Sequence, residues 1–244
     1  MSRLYFIKTC VRDREWMAYL LRSLAKFDPE AGVFVAWDAD GELGELKPLV
    51  RAGASVAKLW PEALRIADPY IRQQYIKLTA DRAIPGEHIQ LDSDCFMLRT
   101  PVAGDFIADN GYRIWFFDPW DRVGQAECWR APTERALNIL TPWEHMRRPG
   151  FLVTAELLED TRRRVEDVHR RPLVDYLAAV EKFSEYNVLG AWLHTTNGTH
   201  HCYTLRPSTD GVWGLSGSPL IEQGWSRGPL TADRRRRYEQ ILAG

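Results

Sequence analysis

Leu4 to Thr9 is a short, mostly apolar run, which predicts a buried strand. Behind it Met17, Leu20, Leu21 and Leu24 share one face of a helix that Asp13 can cap and that Asp28-Pro29 stops near Phe27. Val33 to Trp37 predicts a second strand, which ends in the turn Asp38-Ala39-Asp40-Gly41. A short helix around Glu45 to Arg51 leads to a third strand, Ser55 to Trp60. From Pro69 onward, Ile71, Tyr75 and Leu78, with Ile76, Ala80 and Ala83, make a wide apolar stripe at helical spacing, and Gln73 or Gln74 shares a face with Lys77. A turn at Pro85-Gly86 then opens a buried strand, His88 to Leu91. Strands and helices alternating through short connections predict an α/β fold with a mainly parallel central sheet and helices on both faces. Ligands of such sheets bind beyond the carboxyl ends of the strands, where Thr9, Asp38 and Asp92 all fall.

The second half is less regular. Tyr112 to Phe117 predicts a strand that Asp118-Pro119-Trp120-Asp121 breaks, and Glu134 to Leu140 a short helix. Thr154 to Val168 is amphipathic, with Leu157, Leu158, Thr161, Val165 and Val168 on its apolar face; Leu173 to Phe183 predicts another helix. Ser184 can cap a third helix, through about His194. Cys202 to Leu205 predicts a strand and Ala232 to Ala243 a closing helix. Between them the glycine-rich stretch Asp210 to Gly228, carrying Trp213 and Trp225, predicts a loop that is mobile when empty and whose rings could close over a ligand.

Composition narrows the choices. With 244 residues and 45% hydrophobic residues the chain can build a large core as one domain. A net charge of −1 provides no global drive toward nucleic acid or anionic membrane. The arginine runs at 162–164, 170–171 and 234–237 read first as solvated helix faces. Cys10, Cys95, Cys128 and Cys202 are scattered, which argues against a structural zinc site and for reduced thiols. With a strand beginning at Leu4 and no apolar run of transmembrane length, a cytoplasmic protein without stable membrane insertion is expected.

The chemistry concentrates at Asp92-Ser93-Asp94, two carboxylates separated by one small residue at the end of a buried strand. Mg²⁺ and Mn²⁺ favour oxygen ligands and commonly take one or two carboxylates plus substrate phosphates. The Gln-Gln-x-x-Lys-Leu helix, the Leu-Asp-Ser-Asp strand end and the later Phe183-Ser184-Glu185-Tyr186 segment together resemble the metal-dependent, nucleotide-sugar glycosyltransferases of the GT-A fold, most of all a group of small bacterial glycosyltransferase-like proteins. The resemblance is clearest over residues 1 to 120. It implies a single GT-A-like domain, with residues 1–120 on the nucleotide-sugar side and 121–244 on the acceptor side. It also implies a nucleotide-sugar donor, with UDP favoured, Mn²⁺ or Mg²⁺ as cofactor, and a glycan or other hydroxyl acceptor.

Under that resemblance Asp94 is the more direct metal ligand, while Asp92 also contacts the sugar or ribose. Asp38 can reach a nucleobase or ribose, or it belongs to an ordinary turn with Asp40. Thr9 lies at the same strand edge. Lys77 either borders the diphosphate or pairs with Asp81 one turn on. Glu185, at a helix start, is the candidate base of an inverting transfer, against the plainer reading of a glutamate complementing the helix dipole. His201 is the candidate additional metal ligand, since adjacent strand residues His200 and His201 point to opposite sides and only one can serve.

Three rival classes share the composition. A nucleotidyltransferase would carry a glycine-rich basic loop after its first strand, and Thr9 to Asp13 contains no glycine. A carbohydrate-binding protein on the same fold would need neither metal nor nucleotide. A nucleic-acid-modifying glycosyltransferase would use the arginine runs, and would bind nucleic acid with strong salt dependence.

Overall fold

The computed structural model describes residues 3–37, 55–58, 60–146, 149–196, 201–208, 220–224 and 228–244. In chain order the elements are β1 (Leu4–Thr9), α1 (Arg14–Phe27), β2 (Gly32–Trp37), β3 (Ser55–Lys58), α2 (Pro69–Leu78), β4 (Glu87–Asp92) and β5 (Cys95–Met97). There follow β6 (Arg113–Pro119), α3 (Arg130–Leu137), β7 (Trp143–Glu144), β8 (Phe151–Thr154), α4 (Ala155–His169), α5 (Leu173–Leu177), α6 (Glu185–Thr195), β9 (Tyr203–Pro207), β10 (Ile221–Gln223) and α7 (Ala232–Ala243). The result is a mixed α/β fold with a mainly parallel central sheet flanked by helices, as the alternating pattern predicts. Among the described residues no helix is long and apolar enough to cross a membrane.

Two compact units divide the chain, the first made of residues 1–59, 89–105 and 212–244. Its sheet places β1 between β2 and β4, all parallel, with β3 beyond β2. Tyr5, Phe6 and Ile7 are fully buried, the continuous apolar run expected of a parallel strand covered on both faces. The predicted stripe of α1 is also buried, each large side chain contributing about 1.5–3 kcal/mol. Trp16 of that helix joins Phe96, Leu230 and Tyr238 in one cluster, where Phe96 and Tyr238 stack with ring centres 3.9 Å apart. Beyond the helix, Asp28 accepts hydrogen bonds from Arg3 Nε at 2.6 Å and from the Tyr5 hydroxyl at 2.8 Å, so α1 is tied to the start of β1. The turn expected at Asp38 to Gly41 and the helix at Glu45 to Arg51 lie outside the described residues.

The second unit comprises residues 60–88 and 106–211. β6 runs parallel to β9 and antiparallel to β7. Three of its helices start on side-chain caps: Asp68 accepts from the N–H groups of Tyr70 and Ile71 with Pro69 at the first helical position, Thr154 accepts from Leu157, and Ser184 from Asn187. The helix expected over Leu173 to Phe183 closes after Leu177, because the chain must reach Ser184 in the extended conformation that caps α6.

His145 lies in this core. Its Nδ1 is 3.3 Å from the Phe116 carbonyl, so that nitrogen carries the proton, and the His145 backbone N–H donates to Asn187 Oδ1 at 2.7 Å. Gly190 on α6 is packed against the ring; a Cβ there would come within 2.1 Å of His145 Cγ. His194 stands 4.9 Å away, centre to centre. Burial pushes His145 well below the ordinary histidine range, helped by the nearby His194; burial also lowers His194 to about 4 and His88, on β4, to about 3.

The unfolded chain protonates these rings near pH 6.5 while the folded chain holds them neutral, so their contribution is complete above that pH and is lost as the pH falls toward the folded values. Denaturant titrations should show stability decreasing from about pH 6.5 downward, with His88 alone supplying a slope of about 1.4 kcal/mol per pH unit. A stability that stays level between pH 7 and 5 would contradict the buried neutral state.

Candidate active site

In the first unit, parallel pairing fixes what gathers at the carboxyl edge of the sheet. Lys8 stands opposite Asp92, and Thr9 opposite Trp37. Register partners on neighbouring strands share a face, so buried Lys8 and half-buried Asp92 lie on the same side of the sheet. Thr9 is fully buried at this edge, and its Oγ1 has no hydrogen-bond partner among the described residues. Asp38, which follows β2, lies outside the described residues.

Asp92 ends β4, and Ser93-Asp94 form the tight turn into β5. Ser93 and Asp94 are each only 5% exposed. The turn is fastened from two sides. Ser93 Oγ donates to Asp13 Oδ2 at 2.9 Å; Asp13 occupies the cap position of α1, but its side chain makes no capping bond there. On the other side Gln223 Nε2 donates to Asp92 Oδ2 at 2.9 Å, and the Gly224 N–H donates to the Asp94 carbonyl at 2.7 Å. Lys8, Asp13 and Gln223 are not apparent from sequence spacing. Asp13 reads as a helix cap, Lys8 as part of a strand, and Gln223 belongs to a glycine-rich stretch that reads as loop. Within that stretch Ile221–Gln223 is a strand, antiparallel to β5, while residues 209–219 and 225–227 lie outside the described residues.

The donor chemistry of this turn suits a hard cation. Asp92 and Asp94 supply carboxylate oxygens, with a third carboxylate, Asp13, hydrogen-bonded to the residue between them. Among the described residues no three His, Cys, Asp or Glu side chains converge as a ready-made metal cage. A cation here would therefore take two carboxylates and complete its shell with ligand oxygens, the usual arrangement for Mg²⁺.

Structure comparison aligns the chain with the galactosyltransferase LgtC, solved in complex with donor and acceptor sugar analogs, over 98% of this chain and 95% of that one, with a TM-score of 0.56 and 13% identity. The fold is GT-A-like. At that identity the likeness is one of fold, and neither a protein-family pattern nor a curated protein sequence matches the chain.

The second unit holds the other expected site residues. Lys77 and Glu185 form an ion pair, Nζ to Oε1 2.7 Å, with side chains 2% and 3% exposed. Gln74, one turn before Lys77, accepts the Glu185 backbone N–H at 3.1 Å, and Lys77 Nζ lies 4.5 Å from the Tyr186 ring centre. The face shared by glutamine and lysine on α2 therefore grips the first turn of α6. Asp81, the alternative partner for Lys77, is taken by Arg162, with Nη2 to Oδ2 2.7 Å. His201 Nε2 lies 3.2 Å from Asp160 Oδ2, which also accepts from Trp192 Nε1 at 2.9 Å.

Removing one member of a buried ion pair leaves the other charge uncompensated, at about 3–5 kcal/mol, whereas replacing both by well-packed apolar residues is often neutral. Lys77→Met should therefore destabilise by about that much, and Lys77→Met with Glu185→Leu should recover most of the loss in the same denaturant assay. A double variant no more stable than the single one would show that the pair is not the unit that matters.

Proposed function

We propose that this protein is a glycosyltransferase that moves a sugar from a nucleotide-sugar, with UDP the favoured nucleotide, to a hydroxyl acceptor, using Mn²⁺ or Mg²⁺. The observation that carries the reading is the position of Asp92-Ser93-Asp94, in a braced turn at the carboxyl end of β4, beside the end of β1. The GT-A-like fold supports it. A divalent cation bound by Asp92 and Asp94 would neutralise the donor diphosphate and support its departure. The chain's own part is to hold those carboxylates in place before donor arrives. Thr9, with its buried hydroxyl oxygen, and Asp38, next along from β2, are the proposed nucleoside-side contacts.

Asp94→Ala should abolish Mn²⁺-dependent UDP binding in calorimetry at fixed Mn²⁺ while the melting temperature stays near that of the parent. Equal affinity in parent and variant would refute the cation assignment.

Glu185 is the proposed base of an inverting transfer, and its ion pair favours a second reading. A proton taken by Glu185 would discharge the carboxylate that faces the buried Lys77 ammonium, and that adjacent positive charge favours the ionised carboxylate. In that second reading the pair is structural. Glu185→Gln separates the two. As a base, the variant should keep donor binding, lose about 10²–10⁴-fold in turnover, and derive from a parent whose product has inverted anomeric configuration. As a structural partner, it should melt at lower temperature with turnover per folded molecule unchanged, and that outcome removes Glu185 from the chemistry.

A further inference from the structure

The contact between Gln223 and Asp92 joins residues 131 positions apart, and the backbone around Gln223 is held on every side. Gln223 pairs with Cys95, the first residue of β5, so the ladder places it directly behind the Asp92-Ser93-Asp94 turn. One residue on, the Gly224 N–H extends that ladder to the Asp94 carbonyl. Gly224 is pressed against Trp16, and a Cβ at this position would meet the indole at 2.1 Å. The Gly224 carbonyl accepts from Arg234 Nη1 of α7, whose guanidinium lies 5.7 Å from the Trp16 ring centre. On the other side of Gln223, Glu222 is paired with Arg237 at 2.7 Å. The C-terminal strand and helix thus fix the backbone before and after Gln223, and the side chain between them donates to a carboxylate of the turn.

We infer that Gln223 is a positioning residue for cation binding: its amide holds the Asp92 carboxylate in the orientation in which Asp92 and Asp94 act on one cation. The inference rests on the cation reading of the Asp92-Ser93-Asp94 turn. A carboxylate on a single rotatable arm loses conformational freedom when it binds a metal, and a hydrogen bond made beforehand removes part of that loss. Partners that orient a metal's ligands commonly change affinity by about 10–100-fold when removed. Gln223 is suited to this task because its amide donates without charge, so it restrains Asp92 without adding to the positive charge that Lys8 already places on that side of the sheet.

The test measures Mn²⁺ affinity on the full-length chain from the resonance signal of free Mn²⁺, with no donor or acceptor present. Gln223→Met keeps the unbranched side chain and removes the donor. Its Mn²⁺ affinity should fall on the order of tenfold or more, with a melting temperature close to the parent's. Gln223→Lys is the second variant; it keeps a flexible, water-tolerant stem and sets a cation against Asp92, so its affinity should fall further still. A role confined to packing would shift melting and leave Mn²⁺ affinity alone. If both variants bind Mn²⁺ like the parent while Asp94→Ala does not, the positioning role is overturned and the cation site stands. If Asp94→Ala also binds like the parent, the cation reading itself has failed.

Discussion

Everything assembled at the candidate site depends on the parallel register of β1, which is bonded along both edges. A strand's side chains alternate between faces, so a slip of one residue would exchange the sides of Lys8 and Thr9 and carry the buried run Tyr5-Phe6-Ile7 out of its packing. The register is secured at the other end too, where Asp28 receives both Arg3 and Tyr5. With β1 fixed, β4 must end beside it, and the turn after Asp92 must emerge at the carboxyl edge. The antiparallel pair of β5 and β10 then returns the end of the chain to that turn.

Charge plays a different part in each unit. In the second unit the buried pair of Lys77 and Glu185 joins two helices, and its worth lies in not being broken rather than in net stability. The arginine runs, which read first as solvated helix faces, are in part tied into the fold. Arg162 holds Asp81 and Arg164 holds the Leu137 carbonyl; Arg234 holds the Gly224 carbonyl, Arg235 pairs with Glu15 and Arg237 with Glu222. Those on the surface add little stability individually. Their arrangement on α7 nevertheless has a consequence, since two of them stabilise the strand that carries Gln223.

The legible parts of the sequence were those governed by local rules. Periodicity located β1, α1, β2, α2, β4, α4 and α7, and Ser184 caps α6 as its type predicts. The position of Asp92 at a strand end was readable for the same reason. What escaped was short or long-range. β5, β7, β8 and β10 are two to four residues long, too few for alternation to show, and β10 lies in a glycine-rich stretch. Asp13 has the sequence of a helix cap, yet its carboxylate is taken by Ser93, a contact 80 residues away that no local propensity encodes. The partner of Lys77 lies 108 residues off, while the nearer carboxylate, Asp81, goes to Arg162.

Asp13 and Asp94 are almost wholly buried, with Asp92 beside them, and withdrawing carboxylates from water is costly unless the charge is compensated, as Arg12 does in part for Asp13 at 3.6 Å. A fold selected for stability alone would replace such a group with apolar residues, which are often at least as stabilising. Here the surrounding structure instead spends a serine, a glutamine and a backbone N–H on keeping the turn in one geometry. Departures from the cheapest local choice concentrate where function requires them. The identity with LgtC is only 13%, so the chain keeps the fold with almost none of that neighbour's sequence. Under the proposed function, the charge that this braced, carboxylate-bearing turn would meet is a divalent cation.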